Sequence, residues 1–493
     1  MKYISTRDKN KSVTAAEAIA KGLADDGGLF LPESIPSVSA SELKELCKAN
    51  YRERAVIIMS KFLDEFSEAE LRGFVNSAYA ENFDCPEIAP LRFLDDATGM
   101  LELWHGPTCA FKDMALQMLP LLLVSSLKKL NENRKVCILV ATSGDTGKAA
   151  LAGFANVPGT SIAVFYPRDG VSDVQKLQMT TQEGDNVYVC SVEGNFDDAQ
   201  NGVKRIFSDR DFSEKLNENG VFLSSANSIN WGRLLPQIVY YFSAYCDYVN
   251  SGKIKMGDEI DFCVPTGNFG DILAGYYAKK MGLPVRKLIC ASNSNNVLTD
   301  FIKTGFYDRN RQFFSTISPS MDILVSSNLE RLLFLLSDDK QVKNWMELLK
   351  IKGSYNVGAG VLAELQRDFD CGFCADDEAM LAINREFSNS DYLMDTHTAV
   401  AFGVLEKLRK NDPKFPTVVV STASPFKFAD SVLAALGKGE KKSGGKLIES
   451  LTALTGVLAP RPLSGLDSRE KRFSDCVAKE NMDKAVLKFL QTM

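Results

Sequence analysis

The feature that most constrains the fold is a repeated unit in which a short apolar segment is followed by a polar loop of small residues and then by a helical pattern. The unit occurs three times, as KVCILV with ATSGDTG from residue 135, DFCV with PTGNFGD from residue 261, and TVVV with STASPFK from residue 417. Further apolar segments of strand length begin at residues 161, 187 and 287. Strands that alternate with helices form parallel sheets covered by helices on both faces. We therefore predict an α/β fold.

The three polar loops follow the strands, at the sheet edge where ligands bind in folds of this kind. The loop at residues 265–271 combines glycines, which let a backbone approach a ligand closely, with a helix N-terminus, whose amide groups attract anions. It is a candidate phosphate site, although it lacks the GK[ST] ending of nucleotide-binding P-loops. The alternative is a tight turn in which Asn268 or Asp271 caps the helix.

The other two loops carry hydroxyl groups. Thr142, Ser143 and Thr146 of ATSGDTG could hold a carboxylate, and the alternative is helix capping by Ser143 or Asp145. Thr422, at the end of TVVVST, could donate a hydrogen bond to a pyridine nitrogen, or it could cap the segment that follows.

A single lysine, Lys112, lies in the mostly apolar string HGPTCAFKD at residues 105–113. Burial among apolar side chains disfavours the ammonium form, and a neutral amine can form an imine with a carbonyl compound such as pyridoxal phosphate. The alternative is an ordinary lysine at the start of an amphipathic helix, with its head in solvent. Together with an anion loop, a hydroxyl-rich loop and a strand-end threonine, Lys112 favours a pyridoxal-phosphate site.

Composition narrows the class of protein further. A chain of 493 residues with 45% hydrophobic residues can bury a large core and divide into two or three domains. A net charge of -6 without a long basic block argues against nucleic-acid or anionic-membrane partners. The polar N-terminus and the lack of a long apolar stretch predict a cytoplasmic protein. With two histidines and one isolated CxxC pair, the sequence predicts no metal centre.

The chain as a whole resembles the threonine synthase family, in the branch found in fungi and many bacteria. The resemblance lies in YISTR and GLADDGGLFLPESIP near the N-terminus, HGPTCAFKDMALQ, ATSGDTGKAA, VEGNFDDAQ, NSINWGR, PTGNFGDILAGYYAKKMG, DTHTAVA and STASPFKFADSV, in the expected order. It implies the fold-type II architecture of pyridoxal-phosphate enzymes, with two open twisted parallel-rich sheets flanked by helices and a mostly helical N-terminal domain. The domains are predicted at residues 1–90, at 91–125 with 230–493, and at 126–229.

The resemblance also implies roles for individual residues. Lys112 would be the catalytic lysine that bonds to the cofactor, Thr422 the partner of its pyridine nitrogen and Asp145 a neighbour of its phenolic oxygen. The remaining implied groups are Gly267, Asn268, Phe269, Gly270 and Asp271 for the cofactor phosphate, and Thr142, Ser143, Gly144 and Thr146 for the substrate carboxylate.

The implied activity is that of a lyase that converts O-phospho-L-homoserine and water to L-threonine and phosphate, the last step of threonine biosynthesis. The phosphate of this substrate needs its own cation, for which Arg233 with Asn227, Ser228 and Asn230 is the candidate group. Arg168 and Lys176 are weaker candidates, and the alternative for Arg233 is a structural ion pair. Other possible functions are a same-fold phospho-lyase or serine/threonine dehydratase that releases 2-oxobutyrate, and a non-catalytic protein that binds a phosphorylated ligand. The resemblance suggests a monomer.

Overall fold

The computed structural model describes residues 1–168, 171–410, 415–439 and 442–492. Within them the strands are β1 Tyr3–Ser5, β2 Asp8–Val13, β3 Phe30–Pro32, β4 Leu91–Phe93, β5 Thr98–Glu102, β6 Lys135–Ala141, β7 Thr160–Pro167, β8 Val187–Glu193, β9 Val221–Ser224, β10 Ile260–Pro265, β11 Val285–Ser292, β12 Phe306–Asp308, β13 Ser354–Asn356, β14 Phe369–Phe373, β15 Thr417–Ser421 and β16 Cys476–Ala478. Each apolar segment that the sequence predicted as a strand is one.

The α-helices, in chain order, are α1 Ala15–Lys21, α2 Ala40–Lys48, α3 Tyr51–Ser60, α4 Glu68–Ala78, α5 Asp113–Leu116, α6 Leu119–Lys129, α7 Asp145–Phe154, α8 Asp173–Thr180, α9 Phe196–Ser208, α10 Arg210–Glu218, α11 Trp231–Asn250, α12 Gly270–Lys280, α13 Val297–Thr304, α14 Leu329–Leu335, α15 Asp339–Lys352, α16 Gly358–Asp368, α17 Asp376–Ser390, α18 Thr396–Arg409, α19 Ala429–Ala435, α20 Gly445–Thr455 and α21 Met482–Leu490. Short 3₁₀ helices lie at Pro319–Met321, Pro425–Phe428, Leu466–Ser468 and Lys479–Asn481. No helix in the described ranges has both the length and the apolar character needed to cross a lipid bilayer.

Two parallel-rich sheets position the three polar loops. The first has the strand order β14-β11-β10-β15-β5-β4 and is parallel except for β4, which runs antiparallel to β5. The second has the order β16-β8-β7-β6-β9 and is parallel throughout. The loops that follow β10 and β15 therefore leave neighbouring strands of one sheet, and the loop that follows β6 leaves the other sheet.

The N-terminal region contains the predicted helices and also a small antiparallel sheet, with the order β2-β1-β3, that the sequence analysis did not predict. The helical pattern at residues 41–63 is split into α2 and α3 at Asn50. The side chain of Asn50 accepts a hydrogen bond from the N–H of Glu53 at 3.0 Å and so caps α3. A polar residue with local capping capacity thus interrupts an otherwise continuous helical pattern.

The predicted large domain must be corrected at its C-terminal end. The sequence analysis assigned residues 230–493 to one domain, but β16 pairs with β8 of the second sheet. Helix α21 follows, and its buried Met482, Val486 and Phe489 share a hydrophobic core with Val203 and Ile206 of α9. The C-terminal segment therefore adds a strand and a helix to the sheet formed by residues 135–224, a long-range pairing that local sequence patterns do not reveal.

Helix α11 joins the N-terminal region to the first sheet. Its residues are buried on nearly every side, and Trp231 packs against Tyr3 at 5.5 Å and Tyr277 at 5.3 Å between ring centroids. Arg54 of α3 forms an ion pair with Asp247 of α11 at 2.7 Å. One continuous hydrophobic core therefore holds both regions, and α11 has a fixed position beside the three loops.

Candidate active site

The loop that carries Lys112 is shaped by the carboxylate of Asp113. This carboxylate accepts hydrogen bonds from the N–H and the hydroxyl of Thr108, at 2.8 and 2.6 Å. Phe111 then donates its N–H to the carbonyl oxygen of Thr422 at 2.8 Å. The lysine loop and the end of β15, more than three hundred residues apart in the chain, are thus joined by their backbones.

Lys112 is largely withdrawn from solvent. Its side chain is 11% exposed, and its Nζ lies 4.7 Å from the centroid of the Phe111 ring and 3.7 Å from Oδ2 of Asp145. Burial lowers the pKa of Lys112; Asp145 opposes this effect, while the cations Lys427 and Arg233 add to it. The alternative of an ordinary lysine with its head in solvent is therefore wrong.

Asp145, the first residue of α7, is the centre of a polar network beside Lys112. Its Oδ1 accepts from Nζ of Lys427 at 2.9 Å and from Nε2 of Gln175 at 2.8 Å. Its Oδ2 accepts from the hydroxyl of Ser320 at 3.3 Å. Burial disfavours the charged carboxylate, but the two lysines outweigh burial and hold the pKa of Asp145 well below its usual range. Asp145 is therefore a carboxylate, and it is not a helix cap.

The loop after β10 has the features of an anion site. Phe269 adopts a left-handed backbone conformation with φ of 61°, and α12 begins at Gly270 without a side-chain cap. The N–H groups of Gly267, Asn268 and Phe269 donate to no other described residue. A Cβ atom at Gly267 would lie 2.8 Å from the carbonyl oxygen of Ser320, so only glycine fits. The predicted alternative, a turn capped by Asn268 or Asp271, is not observed.

The side chain of Asp271 points away from this loop. Its Oδ1 accepts hydrogen bonds from the hydroxyl groups of Tyr240 and Tyr241, at 2.6 and 2.8 Å. Burial raises the pKa of Asp271 to about 6 although both hydroxyl groups and Lys112 oppose the change. Only the backbone N–H of Asp271, in the first turn of α12, remains a candidate for binding an anion, and the predicted contact is corrected accordingly.

Thr422 does not cap the segment that follows it, and its hydroxyl is not used by the described part of the protein. Its carbonyl oxygen is used by Phe111, while its buried hydroxyl has no hydrogen-bond partner among the described residues. The cap of the 3₁₀ helix that follows is Ser424, whose hydroxyl accepts from the N–H of Phe426 at 3.4 Å. A buried hydroxyl without a protein partner is a donor available to a ligand.

In ATSGDTG, Thr142 is the capping residue. Its hydroxyl accepts hydrogen bonds from the N–H groups of Gly144 and Gly147, at 3.0 and 2.9 Å. Gly144 has φ of 138°, which favours glycine. The hydroxyl groups of Ser143 and Thr146, both half-buried, bond to no described residue. Ser143 and Thr146 are therefore better candidates for substrate contact than Thr142.

Arg233 of α11 is buried without a carboxylate partner in the described part of the chain. Its Nη1 donates to the carbonyl oxygen of Ala226 at 2.9 Å, and its Nε has no partner. Burial alone lowers the pKa of Arg233 to about 10. The alternative of a structural ion pair is thus wrong, and an anion would satisfy a cation that the protein leaves unpaired.

The other predicted residues near Arg233 differ in whether their side chains are free to bind a ligand. The side chains of Asn227 and Ser228 make no hydrogen bond to described residues, whereas Asn230 is fully used. Its Oδ1 caps α11 through the N–H of Gly232 at 2.8 Å, and its Nδ2 donates to the carbonyl oxygen of Ile19 at 2.9 Å. We therefore remove Asn230 from the candidate set. Arg168 and Lys176 are exposed.

Sequence reasoning missed three residues of this network, Lys427, Gln175 and Ser320. Lys427 lies in the quoted segment STASPFK, but the sequence offered no partner for its charge. The N–H of Ser320 donates to Nε2 of His397 at 3.2 Å, and His397 Nδ1 lies 2.9 Å from Asp395. Ser320 thereby links α18, Asp145 and the loop at Gly267. Ser320 lies in the 3₁₀ helix Pro319–Met321, and no sequence motif pointed to this segment. Within the described ranges, no cluster of three His, Cys, Asp or Glu residues could hold a metal ion.

The unsatisfied groups fit pyridoxal phosphate. A buried lysine with a lowered pKa, a glycine loop with unbonded N–H groups before a helix, and a buried hydroxyl without a partner match its aldehyde, phosphate and ring nitrogen.

Comparisons with known proteins identify the family. Residues 2–79 match the family described as "Threonine synthase N terminus", 100–424 match "Pyridoxal-phosphate dependent enzyme" and 398–487 match "Threonine synthase, C-terminal". The chain is 44% identical to "Threonine synthase-like 1" of Homo sapiens, over 88% of this chain and 60% of that protein. It is 39% identical to threonine synthase of Saccharomyces cerevisiae, over 88% of this chain and 89% of that protein.

Solved structures agree with the sequence relatives. The crystal structure of threonine synthase from yeast superimposes with a TM-score of 0.90 at 36% identity, covering 100% of this chain and 99% of that one. The structure of PLP-bound threonine synthase from Brucella melitensis gives 0.88 at 37% identity, covering 99% of each chain. The predicted fold-type II architecture is confirmed. The chain belongs to the threonine synthase family of pyridoxal-phosphate-dependent enzymes.

Proposed function

We propose that this chain converts O-phospho-L-homoserine and water to L-threonine and phosphate. The observation that carries the proposal is the presence of two separate anion-binding features around one buried lysine. The loop at Gly267 offers unbonded N–H groups, and Arg233 offers an unpaired buried guanidinium whose charge lowers the pKa of Lys112. One feature suits the cofactor phosphate. The second suits a substrate that carries a phosphate of its own.

The cofactor would be held at three points of the first sheet. Lys112 would bond to its aldehyde, the N–H groups from Gly267 to Asp271 would bind its phosphate, and the hydroxyl of Thr422 would donate to its ring nitrogen. Because a hydroxyl is a weak acid, Thr422 would leave that nitrogen without a proton. When bound, pyridoxal phosphate supplies an electron-withdrawing ring that stabilises charge developed on the substrate carbons.

The substrate would contact the second sheet and α11. The hydroxyl groups of Ser143 and Thr146, with the N–H groups at the start of α7, would hold the carboxylate of the substrate, since a helix N-terminus favours an anion. Arg233, with Asn227 and Ser228, would bind the phosphate at the opposite end. These contacts would orient the substrate so that its α- and β-carbons lie near the Nζ of Lys112.

Lys112 would then carry protons between the substrate carbons. As a neutral amine in a buried site it can accept a proton from the α-carbon and, once it has given up that proton, a second one from the β-carbon. After phosphate has left the γ-carbon, a proton would be added at the γ-carbon to form the methyl group. Water would then be added at the β-carbon, with its released proton taken up by the departed phosphate, and the amine would return a proton to the α-carbon. Exclusion of water until that step would require the ATSGDTG loop to cover the substrate.

Product analysis tests this proposal. The chain is incubated with pyridoxal phosphate and O-phospho-L-homoserine, and we expect L-threonine and phosphate in equal amounts. A Lys112→Ala variant should form neither product. Formation of 2-oxobutyrate with phosphate would instead indicate a phospho-lyase, an outcome of particular interest because relatives named "Threonine synthase-like 1" show 44% identity. These relatives are longer, since the chain spans about 60% of their length.

Cofactor binding is measured separately from turnover. A lysine-bound cofactor absorbs near about 410 nm, and this band should be absent from Lys112→Ala. A wild-type chain that shows no band under any loading condition would refute the proposal and favour a non-catalytic phosphate-binding protein. The oligomeric state stays a prediction, and the sequence resemblance suggests a monomer. Sedimentation equilibrium measures this directly.

A further inference from the structure

Lys427 is a buried cation that the proposed chemistry has not yet used. It lies in the 3₁₀ helix after β15, its side chain is 0% exposed, and its Nζ lies 2.9 Å from Oδ1 of Asp145. The same Nζ donates to the carbonyl oxygen of Thr108 at 2.8 Å. The other oxygen of Asp145, Oδ2, lies 3.7 Å from Nζ of Lys112. One carboxylate therefore stands between two buried lysines, and each lysine faces a different oxygen.

This arrangement decides how easily Lys112 loses its proton. With Lys427 present, deprotonation of Lys112 takes the three side chains from one net positive charge to a neutral ion pair. Without Lys427, the same step would take a neutral pair to a single buried negative charge. An unpaired charge is strongly disfavoured in a buried site. Asp145 would then retain the proton on Lys112.

We propose that Lys427 is a positioning residue that gives Asp145 a counter-charge of its own and thereby leaves the amine of Lys112 able to become neutral. The inference rests on the proposed function, in which a neutral Lys112 bonds to the cofactor. Lys427 also contacts two loops of the site. Because Asp145 is the first residue of α7 and Thr108 belongs to the lysine loop, Nζ of Lys427 links the start of α7 to the lysine loop.

The neighbouring charges are consistent with this role. Burial is the largest cause of the lowered pKa of Lys112, Asp145 acts against it, and Lys427 and then Arg233 lower it further. The fourth charged neighbour of Lys112 is Asp271. The titratable groups around Lys427 itself, apart from Asp145 and Lys112, are Cys109, Asp113 and Lys148.

Lys148 provides a matched control. It is also a buried lysine, and burial followed by the charge of Lys427 lowers its pKa to about 7. Its Nζ, however, donates to Oε1 of Gln182 and not to Asp145. Replacing Lys148 removes another buried lysine from the same region while the Lys427–Asp145 pair is kept.

The test is the pH dependence of reductive methylation at Lys112, followed by mass spectrometry on the full chain freed of cofactor. In Lys427→Met we expect the midpoint of labelling to move upward by about one pH unit, the lower end of the effect of a close charge on a pKa. Lys427→Arg, which retains the positive charge, should stay close to the wild-type midpoint. Lys148→Met should also leave the midpoint unchanged.

A folded Lys427→Met chain with the wild-type midpoint would overturn the inference, and so would an equal upward shift in Lys148→Met. If circular dichroism shows that Lys427→Met does not fold, Asp145→Asn gives the decision. The labelling midpoint of Lys112 in this variant should lie below that of the wild type, because Lys427 would then repel the ammonium form of Lys112 without an intervening carboxylate. A midpoint at or above that of the wild type refutes the inference. Labelling needs no cofactor, so failure of the proposed function, seen as a missing absorbance band in the wild type, is distinguished from failure of this inference.

Discussion

Replacing Arg233 with methionine should leave the protein as stable as before, or more stable, although the substitution removes a buried hydrogen bond. Burial lowers the pKa of Arg233 from 12.5 to about 10, which corresponds to about 3 kcal/mol at about 1.36 kcal/mol per pKa unit. Because the folded-state pKa is the lower one, the guanidinium destabilises the fold at every pH below about 10.

The opposing contribution is the hydrogen bond from Nη1 of Arg233 to the carbonyl oxygen of Ala226. Hydrogen bonds from charged groups contribute about 1.5–3 kcal/mol. The two effects nearly offset each other, so the free energy of unfolding of Arg233→Met should lie between that of the wild type and about 1.5 kcal/mol above it. Urea denaturation at neutral pH, with the slope checked for constancy, measures this difference.

Arg54 is the matched control because it is an equally buried arginine that has a carboxylate partner. Its Nη1 lies 2.7 Å from Asp247 and also donates to Ser243. Removal of one member of a buried ion pair costs about 3–5 kcal/mol. Arg54→Met should therefore be clearly less stable than the wild type, while Arg233→Met should not be.

Arg233→Met should weaken substrate binding even though it does not weaken the fold. If Arg233 binds the substrate phosphate, Arg233→Met should raise the KM for O-phospho-L-homoserine at least about tenfold, as expected for loss of a charge-assisted hydrogen bond. The absorbance of the bound cofactor should stay as in the wild type. A loss of stability of 3 kcal/mol or more, or an unchanged KM, would refute the reasoning, because the first would indicate an undetected anionic partner and the second a site that lies elsewhere.

Three further substitutions test, in turn, the packing of a glycine, the charge of a histidine and the contact of a hydroxyl with the cofactor. Gly153→Ala should lower the unfolding temperature strongly, because the added Cβ would lie 2.0 Å from the carbonyl oxygen of Leu116. Gly73→Ala is the control: open space surrounds this glycine, so the unfolding temperature should stay the same or rise slightly. Burial opposes the charged form of His105, yet two carboxylates raise its pKa from 6.5 to about 9; stability present below pH 6.5 should fall as the pH rises through 9, and His105→Gln should flatten that decline. Thr422→Val should unfold at the wild-type temperature but bind the cofactor more weakly, and a lowered unfolding temperature without cofactor would show that the hydroxyl has a structural partner.

The strands and the three polar loops were predictable because they depend on local patterns. Apolar runs such as Val418 to Val420, fully buried in β15, have few alternatives to a central parallel strand. The glycines at residues 144 and 267 mark places where the backbone or its surroundings exclude a side chain. The pairing of β16 with β8 was not predictable, because a three-residue strand far from its partner carries no periodic signal.

Side-chain directions were the least predictable part of the site. Asp271 and Asn230 have the residue types expected of ligand contacts, yet both are turned toward protein partners supplied by distant segments, Tyr240 and Tyr241 in one case and Ile19 in the other. Thr142 uses its hydroxyl within its own loop. Each motif pointed to a loop, but only the tertiary contacts determine which of its side chains remain available to a ligand.

Lys112 and Lys427 illustrate this limit most clearly. Both follow a phenylalanine in apolar strings, CAFKD and SPFKF, and both side chains are buried. The composition of these two strings does not separate the lysines, and only the family resemblance singled out Lys112. The distinction lies in their partners. Lys427 is 2.9 Å from Asp145 and also bonded to a carbonyl oxygen. Lys112, at 3.7 Å from the same carboxylate, is left with a lowered pKa. In the proposed mechanism, Lys112 would therefore be able to react because Lys427 is the closer partner of the carboxylate that both lysines face.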